Sequence, residues 1–561
     1  MLKKTCSVLL LTFIIAVSSS ANALFTRDQR ISDAQTLIAL FEHRYAPLQW
    51  KEDLLGISFD DLISGLIAEA YKENLTDLEF YAAMAKFSGG VKDTHNWFII
   101  PSNYRADLGF TCDYVEGRVL IAGINRVKLP KDLFPYERGD ELISMNGTTV
   151  HAIIDELSEY ASEGNPLAEK RFLASDLTHR RQRYFPYIPT GNVTLEIFSQ
   201  SRGTSESTAL QWEMRGKPLA ATTNNPLLIP VQPEISKTTD TSSDEMKNPL
   251  ERLRWSAIDP ERATSGWIRD PEPFFPMWGS YVNRTDSPLV SGIFLLNGYR
   301  IGFLRIPTWA PPGWDAWLEF LEKQIPYLEK ETDALLIDQT DNGGGSICLG
   351  ETVSEFLVNE PIPANLFQIR ANRHFLQMME EWYIELTGLA NQSKDQEIAR
   401  KIIEEIRDAI EEERPLTDPI SICFSDGYIH PHTTKTGIKT VYTKPILMLI
   451  NEWSISTADM TPAPLQDAGR AVMFGGTTCG AGGNVETTSV IGHSDFRISQ
   501  TESLTVRPTA IMTENGVPTN YLENVGVIPD VPYEVTADDF VNGYQGYKKA
   551  VEETLLKMLK K

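Results

Sequence analysis

Ile446-Leu-Met-Leu-Ile450 runs directly into Asn451-Glu-Trp-Ser-Ile-Ser456, so a short apolar segment ends at a polar corner. A continuous apolar run without alternation is typical of a strand that is buried on both faces of a sheet. Similar runs, separated by stretches with helical spacing, occur at Ile301–Ile306, Ala334–Asp338 and Ala471–Phe474. The pattern predicts an α/β domain over residues 291–540, with helices covering a buried sheet.

Two helical stretches accompany this domain. Residues 368–414 predict a mostly helical insertion, in which Gln396–Glu413 is amphipathic and strongly acidic and is expected to present a solvated face. Residues 541–561 predict a C-terminal helix.

Ser456 occupies the corner between the strand that ends at Ile450 and a predicted helix. Such a corner exposes a hydroxyl and directs free backbone N–H groups into the same space, which suits acyl transfer. A serine in front of a helix is also an ordinary N-cap. The local sequence alone leaves both interpretations open.

Residues 24–103 predict a small helical domain, because apolar residues recur at helical spacing between Ile31 and Phe87. The segment Ser88-Gly-Gly-Val-Lys-Asp-Thr-His95 follows. Its paired glycines are expected to end the helix and to place His95 on a loop. A histidine on a loop is common, so His95 becomes a candidate base only together with other residues.

Residues 104–215 predict strands joined by tight turns. Arg118–Gly123 reads as a strand, and the dipeptide Asn146-Gly147 favours a hairpin turn. The segment resembles a PDZ domain, which implies binding of extended peptides by addition of a strand to a sheet edge. The core motif of that family is matched at Gly139, Asp140, Asn146 and Gly147, with Leu142 where the motif has isoleucine.

Residues 216–290 lose periodicity and are rich in Pro, Thr, Ser and Asn. The most polar stretch is Thr238–Glu245. A long segment of this composition is a natural site of proteolytic cleavage. The composition indicates either a plain linker or a segment that is open to proteolytic cleavage.

The N-terminus has the parts of a secretory signal peptide. Lys3 and Lys4 precede an apolar run from Val8 to Val17, and small residues end at Ala23. The run is shorter than the roughly 20 residues that span a bilayer. We expect residues 1–23 to be removed and the mature protein to be exported, either secreted or periplasmic.

The chain has 561 residues and a formal net charge of −24. A chain of this length can bury more than one core, so two or three domains are expected. The negative charge argues against nucleic acids and anionic membranes as partners.

Cys6 lies in the signal peptide, and the other cysteines form no C-x-x-C pair, which leaves one or two disulfides open among Cys112, Cys348, Cys423 and Cys479.

Several segments, in one order, resemble the S41 family of serine proteases, the tail-specific and tricorn-type enzymes. The resemblance extends over nearly the whole mature chain. It implies an α+β multidomain protein with an N-terminal helical segment, an inserted PDZ-like domain and a C-terminal α/β catalytic domain of the crotonase-like type. The segments are Arg300–Pro307, Asp333–Ser346, the residues around Ser456 and Leu522–Asp530.

Carried over to this chain, the resemblance implies that Ser456 is the nucleophile, His95 the general base and Glu523 the carboxylate that orients the histidine. The chemistry agrees, because a serine hydroxyl is a weak nucleophile until a base takes its proton. The base in turn needs an acceptor on its other ring nitrogen. Asp93, two residues before His95, is the alternative orienting carboxylate.

The resemblance also implies an oxyanion hole formed by the amides of Gly344 and Thr457. Glycines after a strand allow backbone amides to approach a ligand closely. Tail-specific members carry a lysine about 25 residues after the serine, as is typical of that family's Ser-Lys dyad, whereas this chain has Ala481 there. The departure excludes a Ser-Lys dyad and favours a Ser/His/Glu triad.

The resemblance to one branch of this family further implies a secreted enzyme that acts on proteins or peptides, including host proteins. It also implies a homodimer and a zymogen that matures by self-cleavage, with residues 216–290 as the self-cleavage or inhibitory segment. No cofactor is implied. His430 and His432 flank a proline without a third ligand at a telling spacing, so they are interpreted as structural and no metal is predicted. A second hypothesis is a non-catalytic protein that binds peptides or apolar ligands in the PDZ-like groove or the interdomain cleft.

Overall fold

The computed structural model describes residues 25–160, 163–219, 249–257, 281–387, 393–513 and 515–560. The predicted signal peptide, residues 1–23, and the polar stretch Thr238–Glu245 lie outside the described residues. Among the helices within these ranges, none is both long and apolar enough to cross a bilayer. The predicted fold class is confirmed, since N-terminal helices, a central PDZ-like domain and a C-terminal α/β domain follow one another along the chain.

The N-terminal part consists of α1 (Arg27–Arg44), α2 (Leu48–Leu55), α3 (Phe59–Ala70) and α4 (Asp77–Gly89). Thr26 and Thr76 start α1 and α4 with capping boxes, in which side chain and backbone satisfy each other's hydrogen bonds. The apolar faces of the helices meet around Phe41 and Phe87, whose rings lie 5.0 Å apart. The chain then forms β1 (Trp97–Ile99), which pairs with a distant strand of the C-terminal half near Ser499.

The PDZ-like domain follows. Its main sheet is antiparallel and has the strand order β3-β4-β5-β8-β9, with β6 paired to β5, while β10, β2 and β7 form a second sheet. Its elements are β2 (Arg105–Asp107), β3 (Phe110–Val115), β4 (Arg118–Ile124), β5 (Glu141–Met145), β6 (Thr148–Thr149), α5 (Val150–Ser158), α6 (Pro166–Asp176), β7 (His179–Arg181), β8 (Asn192–Ser199), β9 (Thr204–Gln211) and β10 (Glu213–Arg215).

The predicted hairpin turn of this domain is confirmed. Asn146 and Gly147 lie between β5 and β6 with φ values of 50° and 80°. Positive φ at both central residues is the geometry that a two-residue hairpin turn requires, and Asn-Gly adopts it at the lowest cost.

The segment that the sequence assigns to a linker, residues 216–290, contains more structure than predicted. Its described part includes α7 (Pro249–Leu253), β11 (Trp255–Ala257) and β12 (Val282–Thr285). Leu250 and Leu253 are fully buried in the core of the C-terminal domain. These elements are each five residues or shorter, which is too short for a hydrophobic period to appear in the sequence.

The C-terminal domain is built on a seven-stranded sheet of order β12-β13-β14-β15-β20-β21-β26, parallel from β14 to β26. Its further strands are β13 (Val290–Leu296), β14 (Tyr299–Arg305), β15 (Ala334–Asp338), β16 (Gly344–Ser346), β17 (Ile362–Pro363), β18 (Leu366–Ile369), β19 (Tyr428–Ile429), β20 (Ile446–Ile450), β21 (Val472–Gly475), β22 (Val485–Ser489), β23 (Arg497–Thr501), β24 (Ser503–Met512), β25 (Pro518–Tyr521) and β26 (Val531–Pro532).

The four apolar runs that predicted this sheet correspond to β14, β15, β20 and β21, and every residue of β15 and β20 is buried. Helices cover both faces of the sheet, as expected for parallel strands. They are α8 (Asp315–Glu331), α9 (Ile347–Glu355), α10 (Arg373–Thr387), α11 (Ser393–Glu411), α12 (Thr457–Met460), α13 (Pro462–Asp467), α14 (Ala537–Val541) and α15 (Gln545–Leu559). Helices α10 and α11 form the insertion, with Ile402 and Ile406 of the acidic helix buried in the core.

One disulfide, Cys348–Cys423, joins the start of α9 to the loop before β19. Cys112 and Cys479 are buried thiols. Of the pairings that the sequence leaves open, the structure therefore contains one.

Candidate active site

Ser456 lies at the predicted corner, between β20 and the first residue of α12. It has φ 68° and ψ −121°, a conformation that costs a non-glycine residue about 1–3 kcal/mol and must be held by its surroundings. Asp459 holds it, because one carboxylate oxygen accepts the N–H of Ser456 at 2.6 Å. The same carboxylate accepts the amides of Gly480 and Ala481 at 2.8 and 3.1 Å, which fixes the facing loop as well.

His95 lies on the loop after α4, as predicted, although the glycines act differently from the expectation. Gly90 has φ −62°, and the left-handed residue of the loop is Lys92, with φ 51°. The N–H of His95 donates to Oδ1 of Asp93 at 2.8 Å, and its carbonyl accepts the hydroxyl of Ser499 at 2.6 Å. The backbone of His95 is thus held from both sides.

The structure brings the two predicted catalytic residues into contact, with Nε2 of His95 3.0 Å from Oγ of Ser456. Both side chains are buried. Burial lowers the pKa of His95 to about 4; the nearby Asp93 carboxylate opposes this effect and the Lys51 ammonium adds to it. The imidazole is therefore neutral at neutral pH and able to accept the serine proton.

Glu523 lies in the same buried region, but not against the imidazole. Nδ1 of His95 has no hydrogen-bond partner among the described residues. One oxygen of Glu523 accepts the ammonium of Lys51, and the other accepts the N–H of Gly482 at 3.0 Å. Burial and the neighbouring Asp93 raise the pKa of Glu523 to about 8, against the lowering effect of Lys51. The direct contact with Nδ1 that the sequence predicts is absent from this structure.

Asp93, the alternative orienting carboxylate, contacts the backbone of His95 rather than its ring. It also accepts the hydroxyl of Tyr45 at 2.7 Å and that of Thr501 at 2.9 Å. Burial alone would raise the pKa of Asp93, but the charges of Lys51 and His95 and the hydrogen bonds from Tyr45 and from the N–H of His95 outweigh burial and lower it. Asp93 therefore fixes the loop that carries the histidine.

Lys51 is the site residue that sequence reasoning missed. Its side chain is 2% exposed, and its ammonium donates to the carbonyl of Lys92 at 2.8 Å and to Oδ1 of Asn524 at 2.5 Å. It also pairs with Glu523 and lies 3.9 Å from Asp93. Its neighbours come from separate segments of the chain, so no spacing in the sequence could have indicated this role.

Of the predicted oxyanion residues, Thr457 lies against the glycine run, since its hydroxyl donates to the carbonyl of Gly345 at 3.0 Å. The amide of Gly344, however, donates to Oδ1 of Asn342 at 3.0 Å in this structure. Gly345 must be glycine, because a Cβ there would lie 2.0 Å from the backbone of Trp309. The glycine run is thus a close backbone approach, with one predicted donor already engaged.

The PDZ-like domain contacts the loop between β20 and α12 through Arg171 of α6. Its buried guanidinium donates twice to Asp113 of β3, at 2.8 and 2.7 Å, and once to Glu452, at 2.8 Å. It also stacks over the ring of Trp453 at 3.9 Å. Glu452 and Trp453 lie just before Ser456, so this domain supports the corner that carries Ser456.

Ala481, which stands where tail-specific members carry lysine, is fully buried in a small apolar cluster with Phe172, Trp453 and Cys479.

His432 lies between Glu355 and Glu322, each at 3.2 Å, and His430 pairs with Asp426. In the part of the chain that the structure describes, no group of three or more His, Cys, Asp or Glu side chains is arranged to hold a metal ion.

Comparison with known proteins identifies families for two segments of the chain. Residues 104–220 match the family model of the PDZ domain, and residues 300–533 match that of peptidase family S41. A protein of Chlamydia muridarum is 27% identical, over 98% of this chain and 96% of its own length. A protein of Chlamydia trachomatis is 26% identical over the same shares.

Among solved structures, mature CPAF has the same fold, with a TM-score of 0.75 and 23% identity over 95% of this chain and 98% of its own. The complex of mature CPAF with lactacystin matches equally well. The S41 match spans strands β15, β20, β21 and β26 of the sheet, together with the glycine run, the Ser456 corner and Glu523. The chain is therefore a serine-type peptidase whose residues 300–533 match peptidase family S41 and whose fold is CPAF-like.

Proposed function

We propose that the chain is a serine endopeptidase that acts through an acyl-serine intermediate, with Ser456 as nucleophile and His95 as base. The contact of 3.0 Å between Nε2 and Oγ carries this proposal. Oγ attacks the substrate carbonyl carbon while Nε2 takes the hydroxyl proton, and the imidazolium then protonates the leaving amine. In the second half of the reaction, His95 activates a water that releases the acyl group from Ser456.

Glu523 and Asp93 support the histidine as members of one buried charged cluster with Lys51. The cluster holds two carboxyl groups and one ammonium, all 2% exposed or less. Because the pKa of Glu523 is about 8, Glu523 is mostly protonated while His95 is neutral. A positive charge on His95 favours ionisation of Glu523, so that two carboxylates then balance two cations. The cluster thereby stabilises the imidazolium that forms in the transition state.

Thr457 and Gly344 are the proposed oxyanion donors. Thr457 directly follows the nucleophile as the first residue of α12. The amide of Gly344 must turn from Asn342 toward the substrate, or be shared between the two acceptors. Loss of one such donor typically raises the barrier by about 3–4 kcal/mol.

The same proposal includes self-processing within residues 216–290. Among the described residues of this segment, β11 pairs antiparallel with the glycine strand β16, placing Ser256 opposite Gly345 and Ala257 opposite Gly344. An added strand on the glycine backbone occupies the position in which a peptide would bind by strand addition. This pairing supports an inhibitory segment whose removal opens the site.

Export through the signal peptide, residues 1–23, assembly as a homodimer and host proteins as substrates are further parts of the proposal. The Cys348–Cys423 disulfide supports export, because disulfides persist mainly in oxidising compartments. The CPAF structures, described as mature, support a processed form.

Replacement of Ser456 with Ala tests the proposal. We expect the variant to lose cleavage of unfolded protein substrates and of its own 216–290 segment, with Ser158→Ala, at the end of α5, as the matched control. A fluorophosphonate should label Ser456 of the wild type. An unlabelled, inactive wild type that binds peptides would instead favour the non-catalytic binding protein.

A further inference from the structure

A second concave region lies between the N-terminal helices and the helical insertion. Its cavity has a volume of about 820 Å³, within the range of pockets that hold small ligands or peptide side chains. Its walls are the second half of α1, the residues around the start of α10 and the end of α11 with the turn that follows. None of the candidate catalytic residues lines it.

The lining of this cavity is cationic, although the chain as a whole has a net charge of −24. Glu413 is the one carboxylate among the lining residues. The cationic side chains that line the cavity are Arg44, Arg370, Arg373 and Arg414, accompanied by the imidazoles of His43 and His374.

Two of these arginines are already neutralised. Arg44 pairs with Glu502, and Arg414 pairs with Glu412 and Asp418. The other two have no carboxylate partner among the described residues. The guanidinium of Arg370 donates to the backbone carbonyl of Glu42, and the exposed Arg373 makes no ion pair there.

Burial lowers the pKa of Arg370, which reflects the cost of desolvating this cation. An anion in the cavity would offset that cost. Arg373 is also the first residue of α10, a helix of 15 residues, so the positive end of the helix dipole borders the cavity. Two uncompensated guanidinium groups and a helix N-terminus therefore favour an oxyanion at one place.

The remaining wall is apolar and is formed by Ala39, Leu40, Ile410 and Pro415. A bare inorganic ion would leave this surface uncovered. A peptide that carries acidic and apolar side chains would satisfy both parts of the lining, and arginines pair with carboxylates in a well-defined bidentate geometry.

We propose that this cavity is an exosite that binds an acidic segment of a polypeptide substrate, with its carboxylates on Arg370 and Arg373 and an apolar side chain against Leu40 and Ile410. The assignment of the ligand as a substrate rests on the proposed peptidase function, whereas binding itself requires no catalysis.

The test measures binding to the full chain carrying Ser456→Ala, so that cleavage does not interfere. The probe is a short rhodamine-labelled peptide of alternating Glu and Leu, and its partner peptide has Gln in place of Glu. We expect saturable, salt-sensitive binding of the Glu peptide, weakened about tenfold or more by Arg370→Gln with Arg373→Gln. The control, Arg400→Gln with Arg407→Gln, makes the same charge change on exposed positions of α11 and should bind as before.

Equal binding of the Gln peptide, or equal binding by the double variant at the cavity, would overturn the proposal. Tight binding of inorganic phosphate without any binding of the Glu peptide would overturn it too, in favour of a free-anion site. Arg373→Gln alone, at an exposed first-turn position, keeps the test valid if the double variant folds poorly. Active protein that cleaves but fails these binding tests refutes the exosite and leaves the peptidase proposal intact.

Discussion

Nε2 of His95 lies 3.0 Å from Oγ of Ser456, although 361 positions of the chain separate the two residues. The contact depends on how the N-terminal helices dock. Trp97 of β1 pairs with Ser499 of β23, and the hydroxyl of Ser499 holds the carbonyl of His95. Loss of that docking would remove the base from the nucleophile, so activity and N-terminal docking should be lost together.

Activity should persist at mildly acidic pH. Neutral His95 is the active form, and burial lowers its pKa to about 4, so kcat/KM on a short neutral peptide should fall only as pH approaches that value. A pH–rate profile checks this. An acid limb at or above pH 6.5 would contradict the buried, neutral imidazole.

The same shift makes a stability prediction with a defined sign. The pKa of a histidine in an unfolded chain is about 6.5, whereas burial lowers the pKa of folded His95 to about 4. The unfolded chain therefore binds the proton first, and the contribution of His95 is complete above about pH 6.5 and is lost as pH falls toward 4. The loss is about 3 kcal/mol. Denaturant melts at pH 7 and pH 4.5 should show it, and His95→Gln should reduce the difference.

Replacement of Lys51 with Met should damage both stability and the pH profile. The replacement removes the ammonium that pairs with Glu523 and lies near Asp93. Breaking a buried ion pair lowers the free energy of unfolding by about 3–5 kcal/mol. Lys51 also lowers the pKa of His95, so its loss should move the acid limb of kcat/KM to higher pH. Lys72→Met, at an exposed pair with Glu69, is the control. A less stable variant with an unshifted acid limb would reduce Lys51 to a purely structural role.

Replacement of Arg171 with Ala should remove the contact between the PDZ-like domain and the loop that joins β20 to α12. Asp113 and Glu452 would lose their shared partner, at a cost of about 3–5 kcal/mol, and Trp453 would lose its stacked guanidinium. We expect a lower melting temperature and a lower kcat. Arg202→Ala, at an exposed pair on the far edge of the same domain, should change neither; unchanged kcat in a folded Arg171→Ala protein would exclude the coupling.

Reduction of Cys348–Cys423 should destabilise the C-terminal domain. The disulfide closes a loop of 75 residues. Constraint of the unfolded chain by a loop of this length contributes about 4 kcal/mol in the chain-entropy model. Melting with and without dithiothreitol measures the effect, which should vanish in the Cys348→Ser/Cys423→Ser variant. A wild type insensitive to reductant would contradict the prediction.

The α/β sheet and the Ser456 corner could be predicted because their signals are local. Buried parallel strands need continuous apolar runs, and β15 and β20 have the bounds that their runs indicate. The Asn146-Gly147 turn could be predicted as well, since few pairs of adjacent residues adopt positive φ at both positions. The short elements α7, β11 and β12 were missed, because they are stabilised by contacts with the domain rather than by a period of their own.

The sequence by itself determined the order of the domains, the buried strands and the residues with the chemistry for acyl transfer. These features could be predicted because secondary-structure propensity, hydrophobic periodicity and family motifs each depend on residues that are close together in the sequence. Only the tertiary structure decided which atoms meet. Lys51, rather than His95, contacts Glu523, and Asn342 engages the amide of Gly344. The physical reason is that contacts between distant segments depend on how whole surfaces dock, and a buried ammonium pairs with whichever carboxylate that docking brings within reach.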